Sequence, residues 1–265
     1  MTWNVYHGRD RPPDPALYTW RSRLLRATER NATHVQVNRR LRREFATLLA
    51  GLDWELALLQ EVPPRWLRPL CEAAHAGGAS VLTSRNFPHL PRAALGRLNP
   101  DLIASNEGGS NQLLVRAPWR VEAVQRATLA RRPERRRMLL ARVRGPDARE
   151  LAVANLHAST GDHADEVLAA AALADRWAGG APIVFGGDLN LRPARAPEAF
   201  ELVERRHGLR AATAPDAIDH LLARGLATLE PARRLPPGDR ELLEPDGRLL
   251  RLSDHAPVVA AFEMG

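Results

Sequence analysis

The run Ile183-Val184-Phe185-Gly186-Gly187-Asp188-Leu189-Asn190 constrains this chain more than any other stretch. Its apolar, β-branched opening reads as a buried strand. Two glycines follow, and they let backbone pass close to a neighbour or turn without a Cβ clash. A carboxylate and a carboxamide, Asp188 and Asn190, come next, two residues apart. On extended backbone such residues point to one side. An acceptor-only group and a donor–acceptor group are therefore expected to share a face at the end of a core strand. That pairing suits an attacking water and a developing oxyanion: Asp188 takes the proton, and Asn190 orients the water or donates to oxygen. Taken alone, G-G-D-x-N is just as often an ordinary strand-end turn, so the rest of the chain has to decide.

It does so by repetition. Asn4 closes the apolar start Thr2–Val5, and Glu61 closes the core strand expected over Trp54–Val62. Asn155 and His157 end the strand Leu151–His157. Asp219 and His220 lie in the strand Ala217–Leu222, and Asp254-His255 precede Ala256–Phe262. Six apolar strands that each carry a hard-oxygen ligand or an imidazole at one end are the layout of a metal-assisted phosphate site. A phosphodiester is anionic and repels hydroxide; a hard cation on a non-bridging oxygen offsets that charge, and Mg²⁺ or Mn²⁺ takes oxygen ligands. Glu61 and Asp254, with Asn4 nearby, can hold such an ion. An imidazole transfers a proton at the phosphoryl group when a carboxylate fixes its tautomer, and His255 with Asp219 is the pair expected to do so. His220 points away from Asp219's face on any strand and reads as structural.

Composition narrows the partners. The chain has 265 residues and no Ser/Gly-rich or low-complexity linker, which reads as one domain over 1–265. Its net charge is +7 and every basic residue is Arg, which favours anionic partners and bidentate phosphate contacts. The single cysteine, Cys71, excludes an internal disulfide and a thiolate metal site. No run of 18 apolar residues suggests a membrane span, and no signal peptide is evident. A cytoplasmic monomer is the expectation. The cluster Arg131–Arg137 reads first as a solvated edge and only second as a nucleic-acid contact. Among six tryptophans, Trp20 alone falls in an irregular segment where it can serve as a stacking platform.

Further elements follow from pattern. Helix is expected around Leu17–Arg30, from a cap at Asn38 through Leu49, after Pro63-Pro64, over Asp162–Trp177, and near Pro197–Arg206. Strands are expected over Ala79–Thr83 and Asn111–Arg116, with a hairpin joining Met138–Arg144 to Leu151–His157. Arg85–Gly109 reads as a long surface segment, and Leu226–Leu252 as polar and turn-rich. Strands outnumber helices, yet helices intervene between several of them, which gives a mixed α/β sandwich.

The ordered segments Thr2-Trp3-Asn4-Val5, Leu59-Gln60-Glu61-Val62, Ser110-Asn111-Gln112-Leu113-Leu114, Asn155-Leu156-His157, Gly187-Asp188-Leu189-Asn190, Ile218-Asp219-His220 and Ser253-Asp254-His255-Ala256-Pro257-Val258 carry a resemblance. Over nearly its whole length the chain resembles the endonuclease/exonuclease/phosphatase superfamily, which includes pancreatic-type deoxyribonuclease and abasic-site endonuclease. The resemblance implies a four-layered α/β sandwich (α+β), two packed mixed sheets flanked by helices, and a divalent-metal phosphoesterase. It implies Asn4, Glu61 and Asp254 on the metal side. It implies Asp188 and Asn190 at the attacking water, Asp219 with His255 as carboxylate and imidazole, His157 as a second imidazole, and Asn111 as a substrate contact. One departure stands out. DNA-cleaving relatives often carry a Tyr before the Asn111 segment, whereas this chain has Glu107-Gly108-Gly109-Ser110 there. A nuclease acting on DNA or RNA is the first expectation. A phosphatase or phosphodiesterase for a small-molecule or lipid-headgroup phosphate is the alternative, and a catalytically silent binding module a distant third.

Overall fold

The structure is a computed structural model that describes all residues except 84–97, 103–107, 132–134, 162, 211–212 and 265. Two sheets face each other. The first has six strands in the order β12, β15, β1, β4, β6, β5: Ala227–Arg234, Val258–Glu263, Thr2–Asn4, Leu56–Val62, Ser110–Arg116 and Ala76–Leu82. The second has five in the order β11, β10, β9, β8, β7: Asp219–Arg224, Ile183–Asp188, Glu150–His157, Arg136–Arg144 and Arg120–Ala130. Two small ribbons, β2 (Glu29–Arg30) with β3 (Val35–Gln36) and β13 (Glu241–Leu243) with β14 (Leu249–Arg251), complete the strands.

Period-2 alternation divides each central strand between two cores. In β10, Val184 faces the other sheet while Ile183 and Phe185 face helices; in β8, Leu139, Ala141 and Val143 face the sheet while Met138 and Leu140 face helices. The inter-sheet core joins these to Leu58, Leu113 and Val115. Behind the second sheet lie α4 (Ala164–Ala178) and α5 (Pro197–His207). Helix α4 buries Val167, Ala170, Ala171, Ala174 and Ala178, an i, i+3, i+4 stripe of small residues that lets helix and sheet approach closely. Behind the first sheet lie α2 (Arg42–Gly51) and α3 (Leu67–Ala74), with Phe45, Leu49, Leu70 and Ala74 turned inward. Helix, sheet, sheet, helix is the four-layered α/β sandwich the sequence implied. A short α1 (Trp20–Leu25) stands outside these layers.

Several expectations need correction. Asn38 does not cap α2. Leu41 is the cap residue, with no side-chain bond, and Asn38 donates instead to Ser22 O, Arg23 O and Asn99 Oδ1. Leu17–Arg30 is only helical over Trp20–Leu25 and ends in a strand. Leu226–Leu252 holds three strands, among them β12 on the sheet edge, where Pro231 and the alternating charges are tolerated. Edge strand β7 had no counterpart in the pattern reading, because its exposed, Arg- and Glu-bearing face hides the alternation. Arg85–Gly109 lies largely outside the described residues, as does Asp162. Among the described residues no helix is long and apolar enough to cross a membrane.

Candidate active site

Strand register builds one row of side chains at one end of the sandwich. The parallel pairing of β10 with β9 sets Asp188 beside His157, and the antiparallel pairing with β11 sets it beside Asp219. Parallel β1 and β4 set Asn4 beside Gln60, one residue from Glu61. Gly186 and Gly187 make the close packing possible. A Cβ on Gly186 would stand 2.5 Å from His220 O; one on Gly187, where φ is +129°, would stand 1.9 Å from Leu156 O.

Asp188 forms the floor, with its side chain 2% exposed. Its Oδ2 accepts from Asn4 Nδ2 at 2.9 Å and its Oδ1 from the Asn190 backbone N–H at 3.0 Å. The expected shared face of Asp188 and Asn190 is not present. The strand ends at Asp188, Asn190 is left-handed at φ 49°, and its Nδ2 donates to Ala158 O. The backbone of Asn190, rather than its amide, therefore meets Asp188.

His255 Nδ1 donates to Asp219 Oδ2 at 2.8 Å, and its Nε2 faces Asp188 Oδ2 and Asp254 Oδ1, each at 3.9 Å. Trp3 Nε1 donates to His255 O, and Ser253 Oγ donates to Asn4 O while accepting the His255 N–H. Strand β1 and the turn before β15 thus hold the imidazole from behind.

Glu61 faces imidazoles on both sides. Its Oε2 is 3.1 Å from His7 Nε2 and its Oε1 is 3.6 Å from His157 Nε2, which is also 3.6 Å from Asp188 Oδ2. Arg136 Nη1 lies 3.3 Å from His157 Nδ1. A guanidinium only donates, so Nδ1 accepts and the neutral ring carries its proton on Nε2, toward the carboxylates. Asp254 stands at the mouth, 37% exposed.

Burial and charge pull these groups apart in acidity. Burial would lower the His255 imidazole, but Asp219, Asp188 and Asp254 outweigh it and hold it at about 10. Burial pushes Asp188 up to about 7, with Asp219 adding to the shift and His255, Asn4 and the Asn190 N–H opposing it. Burial lowers His157 to about 3 against the pull of Glu61. Burial also raises Glu61, yet His7, His157, His255 and Asn4 together bring it down to about 2. Burial raises Asp254, with Glu61 adding and His255 opposing.

Four carboxylates in one pocket are a donor set for a hard cation. Asp219 Oδ1 is buried without a hydrogen-bond partner, and burial raises Asp188 and Asp254, with Asp219 adding to the first and Glu61 to the second. Asp188, Asp219 and His255 come within 4.8 Å of one another, a spacing that also admits an ion. There, however, a cation competes with the proton that Asp219 and Asp188 keep on His255. Glu61, 3.1 Å from His7 Nε2, and Asp254 at the mouth are the other two oxygen donors.

Not every candidate opens on the pocket. Asn111 is fully buried, and its Nδ2 donates to Arg137 O and Asn155 O, which ties β6 to β8 and β9. His220 is fully buried, with Nε2 on Leu191 O and Ala217 O, the structural role expected of it. Trp20 is 64% exposed at the start of α1. Two residues beside the pocket carry no signature in the sequence: His7 lies in an irregular stretch and Arg136 in a charge run. The expectation of a solvated edge for Arg131–Arg137 fails at Arg136, which is buried against His157; residues 132–134 lie outside the described set. Beside it, burial and the nearby Arg135, Arg126 and Arg131 lower Arg137, which marks a dense cationic rim.

A cavity of about 480 Å³ lies between the sheets at the opposite end, near Met1, Trp54, Leu56 and Phe262, and contains none of these groups.

The fold matches solved structures throughout. An endonuclease/exonuclease/phosphatase from Bacteroides vulgatus aligns with TM-score 0.61 and 16% identity, covering 100% of this chain and 97% of that one. A mannosyl-6-phosphatase of Bacteroides thetaiotaomicron aligns with TM-score 0.58 and 13% identity over 82% and 88%. D. rerio TDP2, complexed with a single-strand DNA product, aligns with TM-score 0.55 and 16% identity over 84% and 91%. No curated protein matches the chain. The Endonuclease/Exonuclease/phosphatase family model matches residues 1–255, from the strand that carries Asn4 to His255 itself. The chain therefore belongs to that family of phosphoester hydrolases.

Proposed function

We propose that this protein is a divalent-metal-dependent phosphodiesterase acting on nucleic acid. The observation that carries the reading is His255, held on Asp219 at 2.8 Å and facing Asp188 across 3.9 Å. A proton-bearing imidazole beside a carboxylate supplies an acid and a base within one hydrolytic step. Asp188, ionised, accepts a proton from the attacking water. Its two oxygens are fixed by Asn4 Nδ2 and the Asn190 N–H, so it needs no reorganisation to do so. His255 Nε2–H donates to the phosphoryl oxygen as negative charge builds there. Neutral His157, held by Arg136, fills the space between Glu61 and Asp188 and keeps both carboxylates in place.

Mg²⁺ or Mn²⁺ bound by Glu61 and Asp254, with Asn4 beside them, would neutralise charge on a non-bridging oxygen.

The net charge of +7 and the arginine rim around Arg137 support a polyanionic substrate. A second reading, a phosphomonoester of small size, draws on the fold shared with the mannosyl-6-phosphatase and on the missing Tyr before Asn111.

The test is a chelator-controlled assay with three substrates side by side: a single-stranded oligonucleotide, a bis-aryl phosphodiester and a sugar phosphate. Metal-dependent cleavage of the oligonucleotide is expected. Hydrolysis of the sugar phosphate alone would replace the nuclease with the second reading. Activity unaffected by EDTA would remove the metal.

A further inference from the structure

His7 is delivered to Glu61 by an improbable stretch of backbone. Tyr6, His7 and Gly8 are left-handed in succession, with φ of 50°, 53° and 75°. Only glycine adopts that region freely, so the two side-chain-bearing residues are held there by their surroundings. The surroundings are visible. Asn4 Oδ1 accepts the Tyr6 N–H at 3.0 Å, and the Gly8 N–H donates to Val5 O at 2.8 Å. Arg9 stacks 3.8 Å over the Tyr6 ring and donates from its backbone to Tyr6 O. Gly8 lies flat on Trp66, where a Cβ would stand 2.2 Å from the indole. Glu61, the residue that meets His7, is itself left-handed at φ 54°. Two strained residues from separate elements are thus turned toward one point.

That point lies on the metal side of the pocket. His7 Nε2 and Glu61 Oε2 are 3.1 Å apart, with side chains 13% and 19% exposed. Two neighbouring ligands of an octahedral ion, each about 2.1 Å from it, stand about 3 Å apart. The separation suits a nitrogen and an oxygen sharing one cation. The packing also restricts the ring: Gly109 comes so close that a Cβ there would be 3.6 Å from His7 Cε1.

We propose that His7 is a direct ligand of the divalent cation in this site, giving a mixed nitrogen–oxygen site that favours Mn²⁺ over Mg²⁺. The proposal rests on the metal-dependent reading above. Its chemistry is simple. Mg²⁺ takes oxygen ligands and keeps its waters, whereas imidazole adds affinity for first-row transition ions. A carboxylate from Glu61 and an imidazole from His7, 3.1 Å apart, supply the oxygen and the nitrogen of such a set. The competing account is that His7 donates an N–H bond to Glu61 and never touches the ion.

Pulsed electron paramagnetic resonance on the full chain loaded with Mn²⁺ separates the two, with ¹⁵N-histidine label to identify the coupling. Wild type is expected to show a directly bound histidine nitrogen. His7→Asn is expected to lose it, because Asn tolerates the left-handed backbone but is too short to replace the ring. The same variant should lose at least about tenfold in Mn²⁺ affinity, with Mg²⁺ affinity changed less than about threefold, both by titration calorimetry. A wild-type spectrum with Mn²⁺ bound but no histidine coupling overturns the proposal and leaves the metal reading standing; that result needs no variant to fold. Unchanged coupling in His7→Asn overturns it too, since His157 or His255 would then be the source. No Mn²⁺ bound at all overturns both.

Discussion

Gln60 and Asn155 join the two sheets directly beneath the pocket: Gln60 Nε2 donates to Asn155 Oδ1 at 2.8 Å, across 95 residues of chain. Asn155 Nδ2 in turn donates to Leu59 O and Gln112 O, and Thr2 Oγ1 bonds Gln60 from the other side. All of these side chains are fully buried. An apolar core has no preferred offset between its sheets, whereas this network fixes one, and with it the distance from Glu61 on β4 to Asp188 on β10. Asn155→Leu removes three buried hydrogen bonds, one from Gln60 Nε2, which keeps Thr2 Oγ1 and Leu58 O, and two to the Leu59 and Gln112 carbonyls, each worth about 0.5–1.5 kcal/mol. The variant is expected to be destabilised by several kcal/mol in urea unfolding. A loss below about 0.5 kcal/mol would mean that the network does not set the sheet offset.

The His255–Asp219 pair gives stability a pH dependence with a definite sign. The folded imidazole, held at about 10 by Asp219, Asp188 and Asp254 against burial, keeps its proton where the unfolded one, near 6.5, has lost it. Its stabilisation is therefore complete below about pH 6.5 and disappears as pH rises toward 10. The urea midpoint of the chelator-treated protein should fall across that window, and Asp219→Asn should flatten the fall. Below pH 7, Asp188 and His157 act against each other. Raised Asp188 loses its contribution as pH rises through about 7, while lowered His157 loses its own as pH falls toward 3. A midpoint in wild type that is level from pH 6.5 to 10 would show that the pair is not ionised as described.

What could be read in the sequence was the part governed by short-range rules. Strand ends carrying Asn4, Glu61, Asp188, Asp219 and His255 are visible because apolar runs stop at them, and the glycines before Asp188 foretell the close approach of neighbouring backbone. The residues that escaped notice depend on long-range geometry. His7 sits in a loop with no period, and only the fold brings it to Glu61, 54 positions away. Arg136 looks like its neighbours until β8 turns it inward on His157. The extended-backbone rule fails at Asn190 because the strand ends two residues earlier, at Asp188. Strands β7 and β12 lie at sheet edges, where one row of side chains meets water and polar residues erase the alternation.

Asn190 also supplies a discriminating variant. If its amide acts on the substrate, removing the side chain should lower kcat about 10²–10³-fold. If only its backbone N–H on Asp188 matters, the loss should be slight. Asn190→Gly makes the comparison cleanly, because glycine adopts φ 49° without strain. The amide's bond to Ala158 O leaves it one remaining N–H for substrate, and the large loss is expected. Asp188→Asn keeps the shape but removes the base, and kcat should drop about 10²–10⁴-fold. Wild-type turnover by Asp188→Asn would dismiss Asp188 as the base.

His255→Ala should lower kcat by about 10²–10³-fold as well, through loss of the proton donor. Asp219→Asn should lose less, since the imidazole remains near Asp188 and Asp254 but with its proton less firmly held. The informative quantity is the pH profile of kcat. With Asp219 in place the donor stays charged to about pH 10. In Asp219→Asn the alkaline limb should move to lower pH. An alkaline limb that does not move would assign the donor role to another group.

Gly187 offers the sharpest test of how the pocket is built. A Cβ at this position would lie 1.9 Å from Leu156 O and 2.9 Å from the carbonyl carbon, on a backbone at φ +129°. No rotamer change relieves a clash with main chain, so β9 and β10 must separate. They meet where His157 is paired with Asp188, and separating them pulls the second imidazole from the floor carboxylate. Gly187→Ala is therefore expected to destabilise by at least about 3 kcal/mol, in the range where core clashes and backbone strain act together. Any folded fraction should retain little activity. Gly51→Ala is the control: it sits at the end of α2 with nothing within 4 Å of its added Cβ and no positive φ, and it should change stability by less than about 0.5 kcal/mol. Equal midpoints for the two variants would mean that the glycine before Asp188 is a turn residue only, and that the approach of β9 to β10 does not depend on it.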